Sequence, residues 1–259
     1  MFMKRLKEIY DYREMIITSV HRDLRGRYKG SVLGFLWTFI NPLFQLLVYT
    51  MVFSVVLRSD IDKYYLFLFV ALIPWIFMST SVVGGSSCVY GQAGMVTKIY
   101  FPRQVLPISF VITCFVNMLL CFVVVLLVCG FSIGLNLRVL PFLIPVMLVE
   151  FFLALGIALL VSGITVFFRD LEHILGILVM AWQFLTPIMY PITMVPQEIM
   201  PIFNMNPMTP VIAAYRSILY YKTAPDLSTI ASAVLWGIGF LLVGWFVFER
   251  LQRRFAEAL

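Results

Sequence analysis

The chain has 259 residues, of which 62% are hydrophobic and 12% charged, with a mean hydropathy of +0.98 and a formal net charge of +6. Soluble domains carry about 25% charged residues, so a water-soluble globule is excluded. The basic balance does not point to nucleic acid either, because the charges cluster at the ends of apolar runs.

The first thirty residues place Phe2, Leu6, Ile9, Met15, Ile16, Val20 and Leu24 at near-helical spacing, with basic residues between them. That pattern predicts an amphipathic helix over 1–30 lying in the cytoplasmic interface. No short apolar core followed by a small-residue cleavage site is present, so a cleavable signal peptide is not expected. Gly26, Gly30 and Gly34 follow at four-residue spacing. Such spacing serves either close helix approach or a bend into the first span.

Six apolar runs come next, at 31–57, 64–90, 105–131, 141–168, 174–192 and 229–249. Each approaches the roughly 20 residues that cross a bilayer core, and the stretch from Val105 to Cys129 holds no charge at all. Residues 193–228 differ. They carry Pro196, Pro201, Pro207, Pro210 and Pro225, and their apolar pieces are too short to span. Short re-entrant helices on the outer side are expected there. The expected fold class is therefore all-α: a polytopic membrane protein with six transmembrane helices, an N-terminal amphipathic interface helix and short re-entrant helices outside.

With the N-terminus inside, the inner ends of the runs collect 14 of the 19 Lys and Arg residues. Discounting the first three, which lie far from a span, leaves 11 against 5. This asymmetry puts both termini in the cytoplasm.

Little catalytic chemistry is visible. No Gly-Lys dipeptide occurs, so the phosphate-cradling loop of an ATPase is missing, and no catalytic or metal-binding residue is assigned. Cys88, Cys114, Cys121 and Cys129 lie in apolar segments without a C-x-x-C pair and read as packed thiols. Asp60 and Asp62 match a D-x-D spacing, but on a short outer connection. Glu150 is the conspicuous charge, with only apolar neighbours from Pro141 to Leu160. A midplane charge costs about 2.5–3.5 kcal/mol on insertion scales, which favours a function. If the helix begins at Pro145, however, Glu150 lies only about 8 Å in and reaches outer water. Both readings stand at this level. The aromatics Trp37, Tyr49, Phe53, Trp75, Trp182 and Tyr190 suit interfacial belts and equally suit a channel in which rings stack on sugar faces.

Six local patterns then coincide in order. They are the run from Tyr28 to Pro42, Ile73-Pro-Trp-Ile-Phe77, Lys98-Ile-Tyr-Phe-Pro-Arg-Gln-Val-Leu-Pro107, Phe168-Arg-Asp-Leu-Glu-His173, Thr186-Pro-Ile-Met-Tyr-Pro191, and the run from Asn206 to Arg216. In register they closely resemble the permease subunits of ABC-2 type polysaccharide exporters, which serve O-antigens, capsules and teichoic acids. The resemblance covers essentially the whole chain, 1–259, as one ABC-2 type transmembrane domain.

The resemblance implies a permease of the bacterial cytoplasmic (inner) membrane that pairs with a second copy of itself around a channel. Two separate cytoplasmic ABC ATPase subunits, holding ATP and Mg, drive it, and this chain binds no cofactor. The segment carrying Lys98, Tyr100, Phe101, Pro102 and Arg103 then looks like the coupling segment seated on the ATPase. Ordinary positive-inside anchoring is the alternative for Lys98 and Arg103. The implied cargo is a polysaccharide linked to undecaprenyl diphosphate. Arg25 and Arg27, clustered with Arg22 and Lys29 at the mouth of the first span, are candidates for its diphosphate. Trp37, Tyr49, Phe53, Trp182, Tyr190, Arg216 and Glu150 complete the candidate substrate-binding set. Competing readings are an ABC-2 permease for a small drug or lipid solute, and an ion-coupled secondary transporter working through Glu150. A further one is an intramembrane transferase built on Asp170, Glu172 and His173.

Overall fold

The computed structural model describes residues 2–26, 30–56, 58 and 60–259, and every regular element among them is helical. The side chains of residues 2–6 and 256 are not described. The N-terminal interface segment forms two helices rather than one, α1 (Phe2–Asp11) and α2 (Arg13–Gly26). Gly30 and Gly34 have φ of +86° and +45°, and a Cβ added to either would meet nothing within 4 Å. These glycines therefore supply left-handed backbone ahead of the first span, and among the described residues of the chain neither is packed against another helix.

Among the described residues, five helical segments are long and apolar enough to cross a bilayer, ranging from 23 to 29 residues. The first is Gly34–Val56, where α3 (Trp37–Thr50) is entered by a 3-10 turn and left through a π-helical turn. The second is α4 (Tyr64–Ser87), followed by the short α5 (Ala93–Lys98). The third is α6 (Val105–Ile133), closed by Gly134 at φ +75°. The fourth is Leu140–Thr165, mostly α7 (Leu143–Thr165). The expected fifth span, 174–192, is instead α8 (Leu171–Leu185), a 15-residue helix. At 1.5 Å per residue α8 covers about 22 Å, short of a core of about 30 Å. The cause is local: Thr186 is extended (φ −103°, ψ 132°), as a residue before proline prefers, and Pro187 and Pro191 prevent resumption.

Residues 193–228 include the short helices α9 (Met200–Asn204) and α10 (Met208–Leu219). Pro210 sits in the first turn of α10, where no amide donor is needed. The last spanning helix is α11 (Leu227–Leu251), which leads through a 3-10 turn to α12 (Phe255–Ala258).

The core gathers around α4, whose most apolar stretch is 78% buried, whereas that of the first spanning segment is only 6% buried. Helix α4 packs on α6, α7, α8, α10 and α3. The tightest pair is α7 with α11. A Cβ on Gly156 would lie 2.5 Å from the Phe240 carbonyl oxygen, one on Gly237 would lie 3.1 Å from the Val149 oxygen, and Gly163 faces Phe248 and Leu251. The seam residues Val149, Gly156 and Gly163 recur every seven positions, and so do Gly237, Gly244 and Leu251 opposite them. Such a repeat keeps one face of each helix against the other over the whole crossing.

The bundle has two distinct ends. At one, Tyr12 donates to the Tyr100 carbonyl (3.4 Å) and Tyr90 donates to Glu172. At the other, Lys63 Nζ donates to the Ser132 carbonyl (2.7 Å), Asn136 Nδ2 to the Lys222 carbonyl (3.1 Å) and Tyr220 to the Asp62 carbonyl (2.5 Å). None of the four cysteines forms a disulfide among the described residues, and three are buried.

Candidate functional site

The expected substrate residues fall in three places. Along α3, Trp37, Tyr49 and, in the turn beyond it, Phe53 share a stripe of four-residue spacing with Asn41 and Gln45. In order the stripe reads ring, amide, amide, ring, ring, and at four-residue spacing it winds slowly around the helix. Trp37 Nε1 donates to Ser31 Oγ (3.2 Å), Gln183 of α8 donates to the Tyr49 hydroxyl (3.1 Å), and Phe53 stacks on Tyr64 with centroids 5.9 Å apart. Where this stripe meets α4 and α6 it borders a cavity of about 250 Å³, also lined by Thr80, Asn117 and Cys121. Sequence reasoning selected the rings and missed Asn41, Gln45 and Asn117. Their signal was available: each is an amide inside an otherwise apolar run.

The second place is the C-terminal end of α8. Trp182 Nε1 donates to Asn206 Oδ1 (2.8 Å), and its ring meets Trp75 edge-on at 5.4 Å. Asn206 Nδ2 donates to the Leu185 carbonyl and to Thr186 Oγ1, both at 2.9 Å, while its oxygen also accepts from the Met208 amide (3.0 Å). One side chain thus joins the end of α8 to the start of α10. Arg216, 5% exposed, donates to the carbonyls of Pro187 (2.5 Å), Ile188 and Tyr190 (3.4 Å), and its guanidinium lies 3.5 Å from the Phe67 ring centre. The fork geometry of the guanidinium suits several carbonyls on one loop. Arg216 is turned inward, clamping residues 187–190. Tyr190 donates to the Phe184 carbonyl in the same loop.

The third place holds Glu150 alone of the expected residues. It is fully buried, so it does not reach outer water. Tyr215 of α10 donates to Glu150 Oε2 at 2.6 Å, and Phe122 of α6 packs on the Tyr215 ring at 5.3 Å. Oε1 has no hydrogen-bond partner among the described residues. The pair ties α7 to α10 across a sequence separation of 65 positions.

Of the cationic candidates, Arg25 is exposed in the last turn of α2, and Arg22 pairs with Asp23 at 3.2 Å. Arg27 lies outside the described residues, as does Lys29.

The expected coupling segment divides in two. Lys98, Ile99 and Tyr100 are exposed, Tyr100 at 82%, while Phe101 and Pro102 are buried. Arg103 donates to the Gln252 carbonyl and lies over the Phe255 ring, 5.9 Å from its centre. Next to it, Gln104 Nε2 donates to Glu249 Oε2 at 2.8 Å, and Gln252 Nε2 reaches the same oxygen at 2.7 Å. The segment is therefore pinned to the C-terminal end of α11, and its apolar tip projects. In the turn between α4 and α5, the hydrogen bond to Glu172 of α8, with a smaller contribution from burial, holds the Tyr90 hydroxyl above its ordinary pKa.

Residues 14–220 match the sequence profile of the family described as ABC-2 type transporter. The chain is 37% identical over 257 residues, 98% of each protein, to a Myxococcus xanthus protein named O-antigen export system permease protein RfbA. It is 31% identical over 252 residues, 95% of each, to a Klebsiella pneumoniae protein of the same name.

Proposed function

This chain belongs to the ABC-2 type transporter family, and on that footing we propose that it is the membrane permease of an exporter carrying O-antigen-type polysaccharide. The polymer passes from the cytoplasm to the outer face of the inner membrane, linked to undecaprenyl diphosphate. The chain acts as a pair of copies driven by two cytoplasmic ATPase subunits, which hold the ATP and Mg. Both termini are cytoplasmic.

The observation that carries this reading is the near end-to-end similarity to proteins named as O-antigen export permeases. The coupling segment supports the ATPase part. An exposed Ile99–Tyr100 tip on a pinned, otherwise buried segment is an apolar protrusion in a basic neighbourhood, as a protein contact requires. The exposed faces of the first spanning segment and of α8 support pairing, since helices this apolar have a large surface left for lipid or a second copy. In this reading the ATPases push on Tyr100, and Arg103 and Gln104 pass the displacement into α11. The glycine seam then moves α7 with α11 as one unit.

The test is polymer display in cells lacking this chain, with the permease and its presumptive ATPase restored singly or together. Lipid-linked polymer accumulating inside, cleared only when both are present, supports the proposal. Normal surface polymer in the deletion, with no redundant exporter, refutes it and favours a small-solute permease.

A further inference from the structure

The cavity between α3, α4 and α6 has a lining that the bilayer does not explain. Asn117 is twelve residues into α6, about 18 Å from its start, and Asn41 is four residues into α3, about 6 Å from its start. With α3 and α6 both starting at the inner end, the cavity runs from the cytoplasmic half of the membrane to near its midplane. Asn117 Nδ2 is buried and has no hydrogen-bond partner among the described residues. An amide donor left unpaired in hydrocarbon costs several kcal/mol. Asn41 and Gln45 add two more amides from the facing helix, Thr80 adds a hydroxyl, and Trp37 supplies a ring at the cytoplasmic end. No charged side chain lines the space among the described residues.

This set of groups selects among ligands. A diphosphate or a metal ion calls for charged partners, which the described lining does not offer. A purely apolar solute would leave three amides unpaired. Carboxamides both donate and accept, as vicinal hydroxyls do, and an indole face covers the apolar face of a pyranose. The volume, about 250 Å³, lies just below the usual range of about 300–1,000 Å³ for small-ligand pockets. It fits one sugar unit, not a chain. Resting on the exporter reading above, we propose that Asn41, Gln45, Thr80 and Asn117 form a neutral carbohydrate subsite that takes single sugar units of the polymer through their hydroxyls on the cytoplasmic side of the path. Uncharged contacts of this kind release each unit as readily as they take it. The diphosphate is left to other groups.

The experiment uses the permease with its ATPase in lipid nanodiscs, titrated with the repeat-unit oligosaccharide released from the host cell's own polymer. Asn117→Leu and the double change Asn41→Leu with Gln45→Leu should each weaken oligosaccharide binding about tenfold or more, and lower polymer display in cells. Because a leucine could disturb assembly, a second measurement uses Asn41→Cys as the single reactive thiol on a background with the four native cysteines replaced. The oligosaccharide should slow its maleimide labelling severalfold. Binding, labelling and display that stay at wild-type level overturn the subsite and leave the exporter reading intact. Disulfide formation between two copies through the new cysteine, with no labelling even without sugar, also overturns it, since the cavity is then closed by a subunit interface. Failure of the exporter reading looks different: no oligosaccharide binding to the unaltered complex together with normal surface polymer in the deletion strain, which overturns both.

Discussion

Replacing Gly244 by alanine tests the α7–α11 seam directly. The new Cβ would lie 2.8 Å from the Gly156 carbonyl carbon and closer still to its oxygen, whereas ordinary contact begins at 3.4 Å. The obstacle is backbone, so no side chain can turn aside. The same holds for Gly156→Ala, whose Cβ would sit 2.5 Å from the Phe240 oxygen and needs about 0.9 Å of separation to reach 3.4 Å. A gap of 0.5–1 Å forfeits roughly a quarter to a half of the dispersion energy of each contact along the seam. Overpacking of this kind costs about 1–3 kcal/mol and at times more, and small-residue packing is a main source of helix association in lipid. We expect a loss of about 3 kcal/mol, which for a chain of this size lowers Tm by roughly 6–12 °C. Gly239 is the control, because it lies on the same helix with nothing within 4 Å of an added Cβ. Its alanine variant should be neutral or gain up to about 1 kcal/mol in helix propensity. Thermal unfolding of the purified permease, followed by tryptophan fluorescence in one detergent, reads all three. If Gly244→Ala and Gly239→Ala melt together, the two helices are not held by this crossing and the reasoning fails.

Three further outcomes follow from other contacts. Tyr215→Phe should cost about 1–3 kcal/mol, because it leaves both Glu150 oxygens unpaired in an apolar interior. The double change Tyr215→Phe with Glu150→Leu should recover part of that loss in the same melting assay, and additivity within about 0.5 kcal/mol would refute the coupling. Arg216→Lys replaces a five-donor fork by an ammonium that cannot reach the carbonyls of Pro187, Ile188 and Tyr190 together. Amide exchange over residues 186–194 should accelerate by about tenfold or more, given about 1.5–3 kcal/mol for bonds to a charged group; unchanged exchange would show that the clamp is dispensable. Tyr100→Ala should weaken ATPase copurification about tenfold, on the scale of an interface aromatic. Arg103→Ala, which cuts the tie to Gln252 and Phe255, should instead keep copurification and lower export. The opposite pattern would exchange their roles.

Several features were legible because their causes are local. Run length against bilayer thickness marks the spanning helices, and the prolines at 196, 201, 207 and 210 limit the outer segment to short pieces. The segment from Lys98 to Arg103, by contrast, is singled out by the family resemblance and not by a local cause; the structure sets its tip in the open. Reading Thr186 to Pro191 as part of a span was too generous. The pre-proline restriction at Thr186 was present in the sequence, but apolar character outweighed it in the reading.

What the sequence alone determined is therefore residence in a membrane, helical class and the number of apolar runs, since each depends on neighbours a few positions away. Only tertiary structure decided which helices touch. In an apolar run every residue type satisfies lipid about as well as protein, so hydropathy does not say which face is buried or against what. It took the fold to set Gly244 on Gly156, to bring Tyr215 to Glu150, and to turn Arg216 inward onto carbonyls. The fold also gathered Asn41 and Asn117, 76 positions apart, around one space. The two amides border one space only because helices distant in the chain pack around it.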